Sequence, residues 1–232
     1  MREIVLDTET TGFEPAEGHR IVEIGAVELF NHLPTGREYH QYINPERLMP
    51  KEAFEVHGLG DDFLRNQPRF ADVAGAFLDF LGAEARLIIH NAAFDMKFLN
   101  AELSWAGLPP LGAERALDTL LIARRKFPGS PASLDALCRR FGIDAAGREK
   151  HGALLDSQIL AEVYLELIGG RQPDFGLSVE VRSSRSHESA PAWRPRPRPE
   201  PLPPRLTEAE RAAHAAFVED MGASAIWKRF SG

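Results

Sequence analysis

The sequence predicts an α/β fold: a central mixed five-stranded sheet flanked by helices, then a flexible linker and a short C-terminal helical tail. Three observations carry this. Short runs of β-forming apolar residues alternate with segments of helical apolar period. The early runs are joined by turn signals, as in an antiparallel meander, and the later ones are separated by helices. After Gly169-Gly170 the composition changes abruptly, and a compact domain of residues 1–170 ends there.

Each element follows in order. Residues 2–7 read as a first strand, buried on both sides. Arg20 to Phe30 and Glu38 to Ile43 read as the second and third, with Gly36 supporting the turn between them and Asn44-Pro45 as the stop. Pro50 to His57 reads as a short helix stopped by Gly58, and Asp61 to Arg65 as another helical turn. Phe70, Val73, Ala74, Phe77, Leu78 and Leu81 follow the i, i+3, i+4 pattern of an amphipathic helix. Arg86 to His90 is a fourth strand. Asn91 is a candidate N-cap for the next helix, with Asp95 one turn in. Ala116 to Asp118 is a short fifth strand, where Asp118 reads as an N-cap rather than a metal ligand. Ser133 to Arg140 forms a helix closed by Gly142, and the last helix of the domain runs to about Ile168 with Leu155, Ile159 and Val163 on one stripe.

Beyond Gly170, residues 191–204 hold seven prolines interleaved with Arg194, Arg196 and Arg198, a linker composition without material for a core. Thr207 and Glu210 form a capping box for a final helix to Met221, with Gly222 as its C-cap. That helix is short enough to be marginal alone and carries bulky apolar residues at its end, so it is expected to fold on a partner.

The 232 residues suit one ordinary domain with an extension, and 44% apolar content allows a full core. A single cysteine, Cys138, excludes an intrachain disulfide and fits a reducing, cytoplasmic compartment. No run of 18 apolar residues is present to span a membrane, and the chain enters a strand without a signal-peptide pattern. Net charge is −7. Sequence-independent affinity for nucleic acid comes from neutralising phosphates with Lys and Arg. A chain this acidic either has another kind of partner, grips a short piece through local contacts and metal ions, or is delivered by another protein.

The chemistry centres on Asp7 and Glu9. At i and i+2 on a strand they share a face, and two such close carboxylates repel unless a cation lies between them. A bare D-x-E also fits a solvated strand end. Asp95 and Asp156, each at a helix start, add two more acids. In α/β sheets, sites gather at the carboxyl ends of strands. Four carboxylates converging there call for two divalent cations about 3.5–4 Å apart, a clamp for in-line displacement at phosphorus. His151 offers an imidazole that can take a proton from water. Five residues before Asp156, it lies about 140° around a helix from it, which places it on the approach loop, beside the metals rather than among their ligands.

These stretches, VLDTETTG, HNAAFD and HGALLD, resemble the three exonuclease motifs of the DEDD superfamily, histidine-containing branch. Residues 1–169 resemble the proofreading exonuclease (epsilon-subunit) family of bacterial DNA polymerase III, and EIGAVE, SLDALC and ILAEVYL also match. The resemblance implies a ribonuclease H-like fold, two Mg²⁺ or Mn²⁺ ions, and 3′→5′ hydrolysis of DNA from a frayed or single-stranded 3′ end to nucleoside 5′-monophosphates. By position, Asp7, Glu9 and Asp156 would hold one ion, Asp7 would bridge to the second, and Asp95 would hold that one directly or through water. His151 would activate water. Glu52 would contact the terminal 3′-hydroxyl, His57 would help hold the nucleotide, and Thr8 and Gly12 would let backbone approach it. Phe13 would stack on a base, or belong to the core.

The segment Gln172-Pro173-Asp174-Phe175-Gly176-Leu177 resembles a sliding-clamp motif, with Gln172, Phe175 and Leu177 as its key residues; an incidental linker is the alternative. The tail resembles the family's attachment to the polymerase catalytic (alpha) subunit, with Trp227 and Phe230 as anchors. A small theta-like accessory subunit is left open. The rival readings are a free-standing nuclease on RNA or short oligonucleotides, and an idle scaffold of the polymerase–clamp assembly.

Overall fold

The computed structural model describes residues 1–145, 150–169, 206–222 and 226–229. The chain divides into two units, Met1–Leu177 and Ser178–Gly232. In the first, five strands form one sheet in the order β3-β2-β1-β4-β5. They are β1 (Arg2–Thr10), β2 (Ile21–Phe30), β3 (Leu33–Tyr42), β4 (Arg86–Ile89) and β5 (Ala116–Asp118). β1 pairs antiparallel with β2 and parallel with β4, and β4 pairs parallel with β5, so the sheet is mixed as expected.

β1 lies at the centre. Ile4 and Leu6 join an apolar cluster with helices α3 (Phe70–Leu81) and α4 (Ala92–Trp105) on one face. Val5 joins a second cluster with α5 (Thr119–Lys126), α6 (Leu134–Phe141) and α7 (Ala153–Ile168) on the other. The two-residue alternation along β1 thus feeds two cores. α1 (Lys51–His57) and α2 (Asp61–Leu64) lie between β3 and α3 in the chain.

Several local expectations change. β1 continues three residues past Asp7, because Thr8, Glu9 and Thr10 keep pairing with β2 up to an irregularity at Glu9/Thr10. Asp7 and Glu9 therefore lie within the strand, not beyond its end. The β2–β3 turn is at Asn31 and His32, both at positive φ (50° and 66°), as a two-residue type I′ turn requires. Gly36 (φ 81°) instead lies inside β3, where the register shifts between Val27 and Leu29. Asn91 precedes α4 in the left-handed region and makes no side-chain cap. Asp118 does cap α5, accepting from Leu120 N at 2.8 Å, and also accepts from Asn91 N at 3.1 Å.

α7 is seated unusually close to the sheet. A Cβ on Gly25 would fall 2.1 Å from Leu154 N, and Ser157 Oγ donates to Gly25 O at 2.8 Å. At its other end Tyr164 OH donates to the buried Glu3 at 2.7 Å.

In the second unit, α8 (Glu208–Asp220) carries the Thr207–Glu210 capping box, with Gly222 at φ 74° after it. Val218 is its buried residue, while Leu206, Phe217, Ile226 and Trp227 are exposed. The proline–arginine stretch, the 172–177 motif and Phe230 lie outside the described residues. Among the described residues no helix is long and apolar enough to cross a membrane.

Candidate active site

A cavity of 690 Å³ opens where β1 and β4 end, and Asp7, Glu9, Asp95, His151 and Asp156 all line it. Two layers meet there. Asp7 and Glu9 project on the face covered by α7, whose first turn supplies Asp156. Asp95 comes from α4 on the opposite face. Glu9, His151 and Asp156 each offer a ligand atom within 4.8 Å of the others.

Burial sets the electrostatics. Asp95 is 3% exposed, and desolvation pushes its carboxyl up to about 7. Thr8 Oγ1 donates to Asp95 Oδ1 at 2.7 Å, which opposes that rise. The Thr8 side chain is thus an anchor for Asp95, a role its sequence position did not suggest. His151 Nδ1 lies 3.2 Å from Asp156 Oδ2. The imidazole, 47% exposed, thus touches Asp156 from the open side of the cluster. A non-helical approach through Gly152 (φ −149°) lets it turn back toward Asp156, and His151 N donates to Val56 O at 3.3 Å.

The donor set suits hard divalent ions: carboxylate oxygens from three separate elements, with Glu9, Asp95 and Asp156 buried at a cost that a cation would relieve.

Other expected residues fall differently. Phe13 lines the cavity and is 83% exposed, so it is not core. A Cβ on Gly12 would fall 2.3 Å from the His19 ring, so a larger residue there would require that ring to shift. Glu52 is exposed on the first turn of α1, and His57 is buried; neither lines the cavity. His57 Nδ1 accepts from Leu59 N at 3.0 Å, and burial holds its pKa below the usual histidine value. Trp227 is half exposed, its ring centroid 6.4 Å from that of His214.

Sequence reasoning passed over Gly25 and Ser157, which seat the helix carrying Asp156. A lone glycine inside the apolar run EIGAVE was the available signal, since it marks close backbone approach.

The match of the RNase_T exonuclease family model to residues 4–164 places this site in an exonuclease. Among solved structures, the nuclease domain of 3′hExo, a DEDDh family member bound to rAMP, superposes with a TM-score of 0.61 at 23% identity, covering 72% of this chain and 91% of that one; the ribonuclease H-like fold is shared. The relatives narrow the class. DNA polymerase III subunit epsilon of Rickettsia felis is 53% identical over 194 residues, covering 81% of this chain and 84% of that protein. The Escherichia coli K12 subunit is 45% identical over 239 residues, covering 98% and 97%. The chain belongs to the DNA polymerase III epsilon-subunit family. It is a metal-dependent, proofreading 3′→5′ DNA exonuclease.

Proposed function

We propose that Asp7, Glu9, Asp95 and Asp156 hold two divalent cations, Mg²⁺ or Mn²⁺, and that His151 is the general base for hydrolysis of the terminal phosphodiester. The observation that carries this is the convergence of all five side chains on one cavity. Such an ion pair, when bound, stabilises charge on the attacking and leaving oxygens of an in-line displacement. Donation from His151 Nδ1 to Asp156 Oδ2 leaves Nε2 to take the proton from water. Thr8 holds Asp95 in place, and the exposed Phe13 ring offers a stacking face to the last base. Glu52 and His57 remain proposed contacts to the terminal nucleotide, on the resemblance alone. Products are nucleoside 5′-monophosphates.

Fraying a mismatched end costs less than fraying a paired one, so the duplex itself supplies the discrimination. The net charge of −7 supports delivery by tethering. We read residues 1–170 as the nuclease domain, 171–205 as linker with a clamp motif at Gln172, Phe175 and Leu177, and 206–232 as the attachment to the polymerase catalytic subunit in the cytoplasm. The uncovered apolar residues about α8 fit such a docking role. Whether a theta-like subunit joins is left to co-purification.

Release of dTMP from a 3′-mismatched primer, dependent on Mg²⁺ and absent in Asp7→Ala, tests the catalytic reading. A chain that releases nothing is the idle scaffold instead. Co-migration with the polymerase catalytic subunit, lost on removing residues 206–232, separates a proofreader from a free-standing nuclease.

A further inference from the structure

Phe13 is an exposed ring on a loop, which by itself would give a base no fixed surface to stack on. The base of that loop is closed by its own bonds. Thr11 N donates to Arg20 O at 2.9 Å, Thr10 Oγ1 to Gly12 O at 2.6 Å, and Thr11 Oγ1 stands 3.1 Å from His19 Nδ1. Its tip is held from α4. Lys97, two residues after Asp95, donates from Nζ to Phe13 O at 3.0 Å and to Glu14 Oε2 at 2.7 Å. The same ammonium lies 5.9 Å from the ring centroids of both Phe94 and Phe98, and Phe94 lines the cavity. One cation thus meets a backbone carbonyl, a carboxylate and two aromatic faces.

We propose that Lys97 is a positioning residue for the exonuclease reaction: it pins the Phe13 backbone to the helix that carries Asp95, so that the ring stands at the cavity mouth as a preset platform for the 3′-terminal base. The inference rests on the reading that this cavity receives the 3′ end. Support of the fold is not its role. The Lys97 and Glu14 side chains are 40% and 42% exposed, and exposed ion pairs contribute little to stability. What these four contacts fix is a location, and a platform ordered beforehand spares binding the cost of ordering it.

The test is a double-mutant cycle on the full chain, degrading a single-stranded oligodeoxynucleotide with Mg²⁺. Lys97→Ala and Phe13→Ala are each expected to raise KM about tenfold, the scale of one base–aromatic stack. kcat stays within about twofold, since the interaction acts on binding. The double variant matches Phe13→Ala alone, and Lys97→Arg restores most of the loss. Additive losses in the double variant would mean that Lys97 meets the substrate itself, through a phosphate for instance, and would overturn the proposal. So would an active wild type with unchanged KM in Lys97→Ala, whatever the effect of Phe13→Ala. A wild-type chain that releases no nucleotide at all overturns the assignment of the cavity, and this inference with it, by a pattern distinct from either.

Discussion

Asp95 shows how one residue couples stability to function. Its carboxyl is buried and pushed up to about 7, against an ordinary value of 3.8. Between those values the folded protein keeps a proton that the unfolded chain has released. Stability of the metal-free protein therefore falls as pH rises from about 4 to about 7. Asp95→Asn is expected to remove that fall, giving a higher Tm at neutral pH without metal, while abolishing nucleotide release. Melts across pH with EDTA check the first half, and a primer assay the second. Thr8 sits one bond away: its hydroxyl donates to Asp95 Oδ1. Thr8→Val keeps the shape and removes the donor. If Asp95 holds a cation as proposed, activity is expected to drop about 10–100-fold, the scale for groups that orient a metal ligand. A rate equal to wild type would show that Asp95 needs no such anchor.

At the scale of elements, α7 and β2 decide where Asp156 stands. Gly25→Ala would place a Cβ 2.1–2.3 Å from the backbone of Ala153 and Leu154, which has no flexible end to move aside. It is expected to cost about 1–3 kcal/mol by overpacking and to impair catalysis together with stability. Thermal melts and rates on the same preparation check both. These elements also mark how far the sequence could be read. α3 was legible in full, Phe70–Leu81, because its apolar period is unbroken. The Asn31-His32 turn was not, because two non-glycine residues at positive φ leave little trace, whereas Gly36 drew attention for a bulge inside β3. The acids that line the cavity were legible as a set, since Asp7 and Glu9 share one face of a strand and Asp95 and Asp156 each lie in the first turn of a helix. The partners that aim them, Thr8, Gly25 and Ser157, touch residues between 87 and 132 positions away. Local pattern does not carry such pairings.

For the molecule as a whole, the clustered acids are a liability that cations would relieve. Mg²⁺ or Mn²⁺ is expected to raise Tm, adding about 2.7 kcal/mol at a free concentration about a hundred times Kd. Asp7→Ala should lose most of that gain; melts over a metal titration with EDTA as the blank provide the measurement. The sheet order has a consequence for biosynthesis. β1 is the first strand to leave the ribosome, yet it takes the central place, and its parallel neighbour β4 begins at Arg86. The β1–β3 meander can pair early, but Asp156 is translated only after most of the domain. A nascent chain therefore carries Asp7 and Glu9 long before Asp156 can join them at the cavity. The cavity is therefore complete only as translation of its domain nears the end, since its lining runs from Asp7 to Leu160.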